Sequence, residues 1–241
     1  MTAGTVSTAA AGAGVRHRPT VVAHISQLPE AGSFVTADAA GTPLLLVRQD
    51  DGSVRALANV CRHRGARVET EPAGRRKMFA CPYHRWCYKR TGEIRSIPFD
   101  DGFTGVRKAA LGLVEHPSAR AGNLVWVVPD RSDPPDVPVP AELGRASLVR
   151  NETLELDESW AGVETRLTSA ADMLTPGTFA SWSDGWAEVI TVRPAGVRLD
   201  RTAVGFWLLA DGTPVPEGTP VAAGAGARWD ERVAWLRAGA S

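Results

Sequence analysis

Histidine and cysteine are both scarce in this sequence, and histidine is confined to its first half. The five histidines of the 241-residue chain are His17, His24, His63, His84 and His116. Because none follows residue 116, the second half lacks the side chain that most often binds transition metals. The three cysteines are Cys61, Cys81 and Cys87. So few cysteines favour a reducing compartment over that of a disulfide-rich secreted protein.

The sequence also lacks an excess of charge of either sign and any long apolar run. Lysine and arginine total 27, aspartate and glutamate total 27, and the formal net charge is zero. This balance favours neither nucleic acid nor a membrane surface as a partner, and no run is long enough to span a bilayer. No basic residue precedes Arg16, so no signal peptide is predicted. We predict a cytoplasmic protein with no nucleic-acid or membrane partner.

Two short segments each combine one cysteine with one histidine. The spacings are Cys61-x-His63 and Cys81-x-x-His84, with seventeen residues between His63 and Cys81. Two thiolates and two imidazoles from two loops are the ligand set of a Rieske [2Fe–2S] centre, in which two histidines replace two cysteines on one iron. Zinc is an alternative, although a zinc finger usually opens with paired cysteines and closes with paired histidines. A disulfide between Cys61 and Cys81 would leave both histidines without a role.

The residues around these positions resemble a known family. Residues 58–66 (ANVCRHRGA) and 81–86 (CPYHRW) resemble the Rieske domain of the alpha subunits of ring-hydroxylating, non-haem iron oxygenases. Residues 91–94 (TGEI) and 97–98 (IP) extend the resemblance. The resemblance implies one [2Fe–2S] Rieske cluster, and its implied ligands are Cys61, His63, Cys81 and His84.

The strand pattern and the resemblance together predict a mainly β protein. The turn signal at residues 49–52 (QDDG) separates two apolar segments, as expected for a β-hairpin. We expect a Rieske [2Fe–2S] β-sandwich domain, followed by a reduced α+β domain of helix-grip type. The predicted limits are a disordered tail at 1–18, the Rieske domain at 19–128, a proline-rich linker at 129–144 and a degenerate oxygenase catalytic-like domain at 145–241.

The predicted second domain lacks the residues that bind iron in the resembling family. There, two histidines and one carboxylate hold a mononuclear iron and leave positions open for O2 and substrate. Residues 158–164 resemble the start of the helix that normally provides the ligands, but residues 169–174 contain neither histidine. Asp230 could match the carboxylate, yet one carboxylate cannot hold iron alone. We therefore expect no mononuclear iron in this chain.

These features predict the Rieske iron–sulfur subunit of a multicomponent non-haem iron oxygenase, not catalytic by itself. It would take electrons from a ferredoxin or flavin reductase and pass them to the mononuclear iron of a related full-length alpha-type subunit. In the resembling family, alpha subunits form trimers in which one Rieske centre serves the neighbouring iron, so we expect a hetero-oligomer. Two alternatives stay open: a non-catalytic structural subunit, or a self-contained hydroxylase or demethylase whose iron is held by carboxylates such as Asp172, Asp184 or Asp230.

The predicted ligands lie in a basic stretch of sequence. Its cations are Arg62, Arg64, Arg67, Arg75, Arg76, Lys77, Arg85, Lys89 and Arg90. The only acidic residues in the same stretch are Glu69 and Glu71. The stretch is either a docking face for an acidic redox partner or a solvated surface whose positive charge is balanced by residues elsewhere in the fold. Arg85 stands where the resembling family usually has glycine. Cys87 alternates with Trp86 and Tyr88, and we interpret it as a buried small residue and not as a ligand.

Overall fold

The computed structural model describes residues 18–99, 107–130, 137, 139–183, 185–195, 198–210 and 223–238. Within these residues the protein is mainly β, which confirms the predicted fold class. The predicted tail lies outside the described residues except for Arg18, as do residues 131–136 and 138 of the predicted linker. The predicted domain limits therefore remain predictions.

The N-terminal unit contains the first eleven strands. They are β1 (Thr20–His24), β2 (Ser33–Ala39), β3 (Thr42–Arg48), β4 (Val54–Ala58), β5 (Ala73–Arg75), β6 (Met78–Ala80), β7 (Cys87–Lys89), β8 (Ile94–Ser96), β9 (Glu115–His116), β10 (Ser118–Ala121) and β11 (Leu124–Val127). Among the described residues, 3-10 helices at Ile25–Gln27 and Lys108–Leu111 interrupt them. The strands form three antiparallel sheets with the orders β5-β2-β3-β4-β9, β1-β11-β10 and β6-β7-β8.

The five-stranded sheet lies between the other two because strand β3 is apolar on both faces. Leu44 and Leu46 pack towards Val125 and the rest of the β1-β11-β10 sheet. Leu45, which points to the opposite face, packs with Phe79 of the β6-β7-β8 sheet. A strand that is buried on both faces has a continuous run of apolar residues in its sequence, as β3 does. The predicted hairpin is confirmed, since β3 pairs antiparallel with β4 across the turn at 49–52.

In the part that the structure describes, the C-terminal unit is one antiparallel sheet with three helices. Its elements are α1 (Ala141–Arg145), β12 (Ser147–Leu156), α2 (Trp160–Thr168), β13 (Asp172–Thr175), β14 (Thr178–Ser183), β15 (Trp186–Ala195), β16 (Arg198–Ala210) and α3 (Ala223–Ala238). The strand order is β12-β16-β15-β14-β13. Helix α1 overlaps the end of the predicted linker, because residues 141–144 belong to both. Ser159 caps the N-terminus of helix α2, and its hydroxyl accepts the Gly162 N–H at 3.3 Å.

Strand β16 shows how this sheet is covered on both sides. Val204, Phe206 and Leu208 face helices α2 and α3 in one core, where the Phe206 ring stacks on that of Trp229 at 4.5 Å. The intervening Trp207 belongs to a second core on the opposite face. This alternation follows from the two-residue period of a strand. It makes the sheet a central layer with apolar contacts on each face.

The second core joins the two units. It contains Trp126 of β11 and Leu124 from the N-terminal unit, packed with Val189 of β15 and Trp207 of β16 from the C-terminal unit. All four side chains are at most 5% exposed. Burial of this much apolar surface favours one arrangement of the two units over free rotation.

Helix α1 is fixed to the N-terminal unit through one carbonyl. The Ala146 oxygen, at the end of α1, accepts hydrogen bonds from His24 Nε2 and Asn123 Nδ2, both at 3.0 Å. His24 Nδ1 accepts the Ser26 N–H at 3.2 Å, so the imidazole is neutral with its proton on Nε2. Burial is the main reason why the pKa of His24 lies below its usual value. Here the tight turn at Gly122 (φ +61°) also approaches α1.

No α-helix in the described part of the chain is both long enough and apolar enough to cross a membrane.

We expect Gly122→Ala to destabilise the joint between the units. An added Cβ would overlap the Gly144 Cα, in a backbone conformation that non-glycine residues rarely adopt. Overpacking and left-handed strain together should lower the free energy of unfolding by about 3 kcal/mol. Gly185→Ala is the matched control, because Gly185 also has a positive φ (+80°) but nothing within 4 Å of the added atom. Urea unfolding should show a loss of only about 1 kcal/mol for the control, and equal losses would contradict the close contact.

Candidate metal centre

The first cysteine–histidine loop begins directly after strand β4. The Cys61 carbonyl accepts the Gly65 N–H at 2.9 Å, and the Cys61 N–H donates to the Ala66 carbonyl at 2.8 Å. These two bonds close residues 61–66 into one tight turn. His63 lies at its tip, two residues after the cysteine.

The second loop, between strands β6 and β7, repeats the same turn. The Cys81 carbonyl accepts the Arg85 N–H at 3.0 Å, and the Cys81 N–H donates to the Trp86 carbonyl at 2.9 Å. His84 stands three residues after the cysteine, one position later than in the first loop. The two loops therefore share a backbone geometry despite their different spacings.

The two thiols lie together beneath the loops. Cys61 and Cys81 are each 2% exposed and belong to the core that includes Trp86 and Tyr88. Both are free thiols, so Cys61 and Cys81 do not form the disulfide considered as an alternative. Burial is the main cause that raises the pKa of Cys81, and contact with the Cys61 side chain adds to it. A bound metal would reverse this, because a coordinating thiol is deprotonated outright.

The two imidazoles lie together nearer to the surface. The centroids of the His63 and His84 rings are 4.6 Å apart, at an interplanar angle of 77°. His63 is half-buried and stacks on buried Trp86, with ring centroids 4.9 Å apart and an interplanar angle of 8°. Burial lowers the pKa of His63, with smaller contributions from His84 and Arg64. His84 is exposed, so this pair of rings reaches solvent on one side.

This arrangement fits a two-iron cluster. A Rieske centre takes two protein ligands on each iron, two cysteines on one and two histidines on the other. The buried pair of thiols and the adjoining pair of imidazoles match that division. No group of three or more His, Cys, Asp or Glu side chains among the described residues is arranged to hold a single metal ion.

Comparison with known proteins identifies the N-terminal unit. Residues 18–109 match the family model of the Rieske [2Fe-2S] domain. This part of the chain is a Rieske domain. It is related to the Rieske domains of ring-hydroxylating oxygenase alpha subunits, as the relatives below show.

Two curated relatives illustrate the relationship. The chain is 44% identical over 96 residues to the large oxygenase component of the naphthalene 1,2-dioxygenase system of a Ralstonia species. The aligned residues make up 39% of this chain and 22% of that protein. The chain is 34% identical over 145 residues to the biphenyl 2,3-dioxygenase alpha subunit of Rhodococcus jostii (strain RHA1), with coverage of 60% and 30%. The chain thus spans less than a third of the length of either relative.

Solved structures extend the fold similarity to both units. A quaternary ammonium Rieske monooxygenase, in its apo form, aligns with 92% of this chain and 74% of its own, at a TM-score of 0.67 and 18% identity. A naphthalene 1,2-dioxygenase with bound indole aligns with 91% and 70%, at a TM-score of 0.57 and 20% identity. At these identities the similarity establishes the fold alone.

Sequence reasoning missed two residues that hold the first loop of the Rieske domain. Tyr88 is fully buried, and its hydroxyl lies 3.2 Å from Cys61 Sγ and accepts the Arg62 N–H at 3.0 Å. Burial and the Cys61 contact raise the pKa of Tyr88, so the hydroxyl keeps its proton and can donate it to sulfur. Buried Asn59 accepts the Val68 N–H at 3.0 Å and thereby fixes the far end of the loop. The sequence feature that could have indicated this role is the inward-facing position of Tyr88 in a predicted strand.

The third cysteine does not join the other two. Cys87 is half-buried on β7, and its Sγ lies 3.9 Å from the Met78 Sδ on the paired strand β6. Its position therefore fits the predicted structural role, although it is less buried than expected.

The C-terminal unit gives no support to the carboxylate-iron alternative. Helix α2 ends at Thr168, and residues that would continue a ligand helix instead form strand β13, which begins at exposed Asp172. Asp230 is exposed on α3, and Asp184 lies outside the described residues. The space between sheet and helices is filled by side chains such as Phe179 and Trp229.

Arg85 occupies a position where glycine is energetically preferred. Its φ is +60°, close to the +74° of Gly65 at the same place in the first loop. A left-handed conformation costs a non-glycine residue roughly 1–2 kcal/mol, which explains why the resembling family usually has glycine here. The fold tolerates the arginine because its side chain is exposed.

Arg85→Gly should therefore stabilise the Rieske domain. We expect the melting temperature to rise by about 2–4 °C, which corresponds to about 1 kcal/mol for a chain of this size. Arg85→Ala is the control, since it removes the same charge but keeps the left-handed strain. Differential scanning calorimetry should place Arg85→Ala at or below the unsubstituted protein, and equal melting temperatures for the two variants would exclude backbone strain as the cause.

Proposed function

We propose that this chain is the Rieske iron–sulfur component of a multicomponent non-haem iron oxygenase. It takes electrons from a ferredoxin or flavin reductase and passes them to a mononuclear iron on a related alpha-type subunit. One observation carries the proposal: the two cysteines and two histidines proposed as ligands lie on two similarly built loops of the N-terminal unit, whereas no histidine follows residue 116. A chain of this composition can move an electron but has no imidazole in its C-terminal unit with which to hold a second iron.

Each proposed ligand has a distinct task. Cys61 and Cys81, the buried pair, would hold one iron, and His63 and His84, the pair nearer to the surface, would hold the other. When bound, such a cluster stores one electron at a higher potential than a cluster with four cysteines. Trp86, stacked on His63, orients that ring and excludes water beneath it. The exposed His84 ring gives the electron its shortest route to the surface.

The C-terminal unit fits a role in assembly. Its sheet is packed on both faces by apolar side chains and resembles in fold the solved Rieske oxygenases. A unit with this scaffold, shared with alpha-type subunits, is suited to occupy the place of one such subunit in an oligomer. We therefore propose a hetero-oligomer in which the partner subunit supplies the complete iron site.

Cluster content tests the ligand assignment. The purified chain should contain two irons and two acid-labile sulfides, because two thiols and two imidazoles complete the coordination of a [2Fe–2S] cluster. Cys61→Ser should abolish the visible absorbance, whereas Cys87→Ser should retain it, since Cys87 is not a proposed ligand. Iron and sulfide analysis together with the absorbance spectrum measures both. A coloured Cys61→Ser protein would overturn the assignment, and a third iron per chain would favour a self-contained oxygenase.

Assembly tests the partner. Co-expression with a related full-length alpha-type subunit should give a mixed oligomer with an interface of roughly 2,000 Å2 or more, as for other permanent complexes. Native mass spectrometry after size-exclusion chromatography gives the composition directly, and the isolated chain serves as the control. If the chain remains a monomer or forms only homotrimers beside that subunit, a stand-alone Rieske carrier is the better description.

A further inference from the structure

Strand β15 carries an arginine whose charge the described part of the fold does not neutralise. Arg193 donates from Nη1 to the Thr191 hydroxyl at 3.3 Å. Its Nε atom is buried and has no hydrogen-bond partner among the described residues. Burial is the main cause that lowers the pKa of Arg193, and the negative charge of Asp38 opposes this effect only in part. A buried charge without a counter-ion in contact is strongly destabilising.

The carboxylates in this part of the fold have other partners. Asp38 lies on β2, and its Oδ1 accepts the Gly41 N–H at 2.8 Å in the turn to β3. Glu164 of α2 pairs with Arg18 at 2.9 Å, and Arg18 lines the same cavity as Arg193. Arg193 is therefore attracted by Asp38 from a distance, while no described carboxylate forms an ion pair with it.

A second buried polar group without a partner lies on the same face of the sheet. Thr178 is 1% exposed, and its hydroxyl has no hydrogen-bond partner among the described residues. Thr178 stands opposite Thr191 in the ladder between β14 and β15. Because side chains alternate along a strand, Thr178, Thr191 and Arg193 all lie on one face. This face therefore holds two buried donors, one N–H and one O–H, that lack an acceptor.

A small cavity adjoins this face where the two units meet. Its walls come from both units and include two cations, two prolines without an N–H to donate, and a tight turn; they include Arg18, Ala40, Pro129, Pro176, Gly177 and Arg193. The cavity has room for about one water-sized group, which excludes phosphate, sulfate and larger carboxylates. A water molecule would accept the N–H but leave the charge, whereas a monoatomic anion would satisfy both.

We propose that Arg193 binds a single halide ion, chloride in a cell, at this cavity, with the Thr178 hydroxyl as the second donor. The ion neutralises the guanidinium group at the junction of the two units, so the stability of the chain depends on chloride concentration. This inference is independent of the proposed function, because the site contains none of the proposed cluster ligands and takes part in no electron transfer.

The test compares three variants of the full chain in two sodium salts. Arg193→Met removes the charge, Thr178→Val removes the hydroxyl at similar volume, and Arg201→Met is the matched control. Arg201 lies on the neighbouring strand β16 and pairs with Asp157 at 2.8 Å. Urea unfolding is measured in about 100 mM sodium chloride and in sodium gluconate at the same ionic strength, since gluconate is too large for the cavity.

We expect chloride to raise the folding equilibrium constant of the unsubstituted chain about tenfold over gluconate, the ratio for a Kd of about 10 mM. Arg201→Met should show the same ratio, and Arg193→Met should show none. Thr178→Val should keep about a threefold ratio, because one of the two hydrogen bonds to the ion is lost. In gluconate, Arg193→Met should be at least as stable as the unsubstituted chain, since an apolar side chain replaces an uncompensated buried charge.

The line width of the chloride-35 NMR signal detects the ion without unfolding the protein. The unsubstituted chain should broaden the signal, and Arg193→Met should abolish most of that broadening. The same chloride response in Arg193→Met as in the unsubstituted chain, or no response in either, would overturn the inference. So would stabilisation that needs molar chloride, which is a general salt effect. If Arg193→Met does not fold, equal broadening by Thr178→Val and the unsubstituted chain would overturn it, and reduced broadening would support it.

Discussion

The turn that follows each buried cysteine is the constraint on which the metal centre depends. In both loops the cysteine uses its own carbonyl and N–H to close the turn, so its side chain is directed inward and the histidine is carried to the tip. Two such turns, brought together by the β6-β7 hairpin and the end of β4, place thiol beside thiol and ring beside ring. The protein thus fixes the positions of the four side chains through backbone hydrogen bonds, which reduces the ordering that a bound metal must enforce.

Much of this was accessible from the sequence because it depends on local pattern. The two cysteine–histidine spacings and the turn at residues 49–52 lie within short windows, and the corresponding loops and hairpin are present. Periodicity and turn chemistry are physical consequences of the backbone, so they are visible before the fold is known.

What the sequence could not show depends on tertiary contact. The Tyr88 hydroxyl meets Cys61 across 27 residues, and Arg90 meets Asp50 across 40. Nothing in the local sequence distinguishes a paired arginine from an unpaired one, so the basic stretch had two open interpretations. Helix α1 was missed for another reason: its five residues are too few to show a period, and they follow a proline-rich stretch.

The apolar contact between the two units has a consequence for how the chain responds to cleavage. Trp126 and Trp207 belong to one core, and the Ala146 carbonyl is bonded to His24 and Asn123. The relative position of the units is therefore set by side-chain packing and hydrogen bonds, independently of the peptide that connects them. A protease that cut between residues 130 and 139 would yield two bands on a denaturing gel, yet the halves would remain associated in solution as a nicked but intact protein.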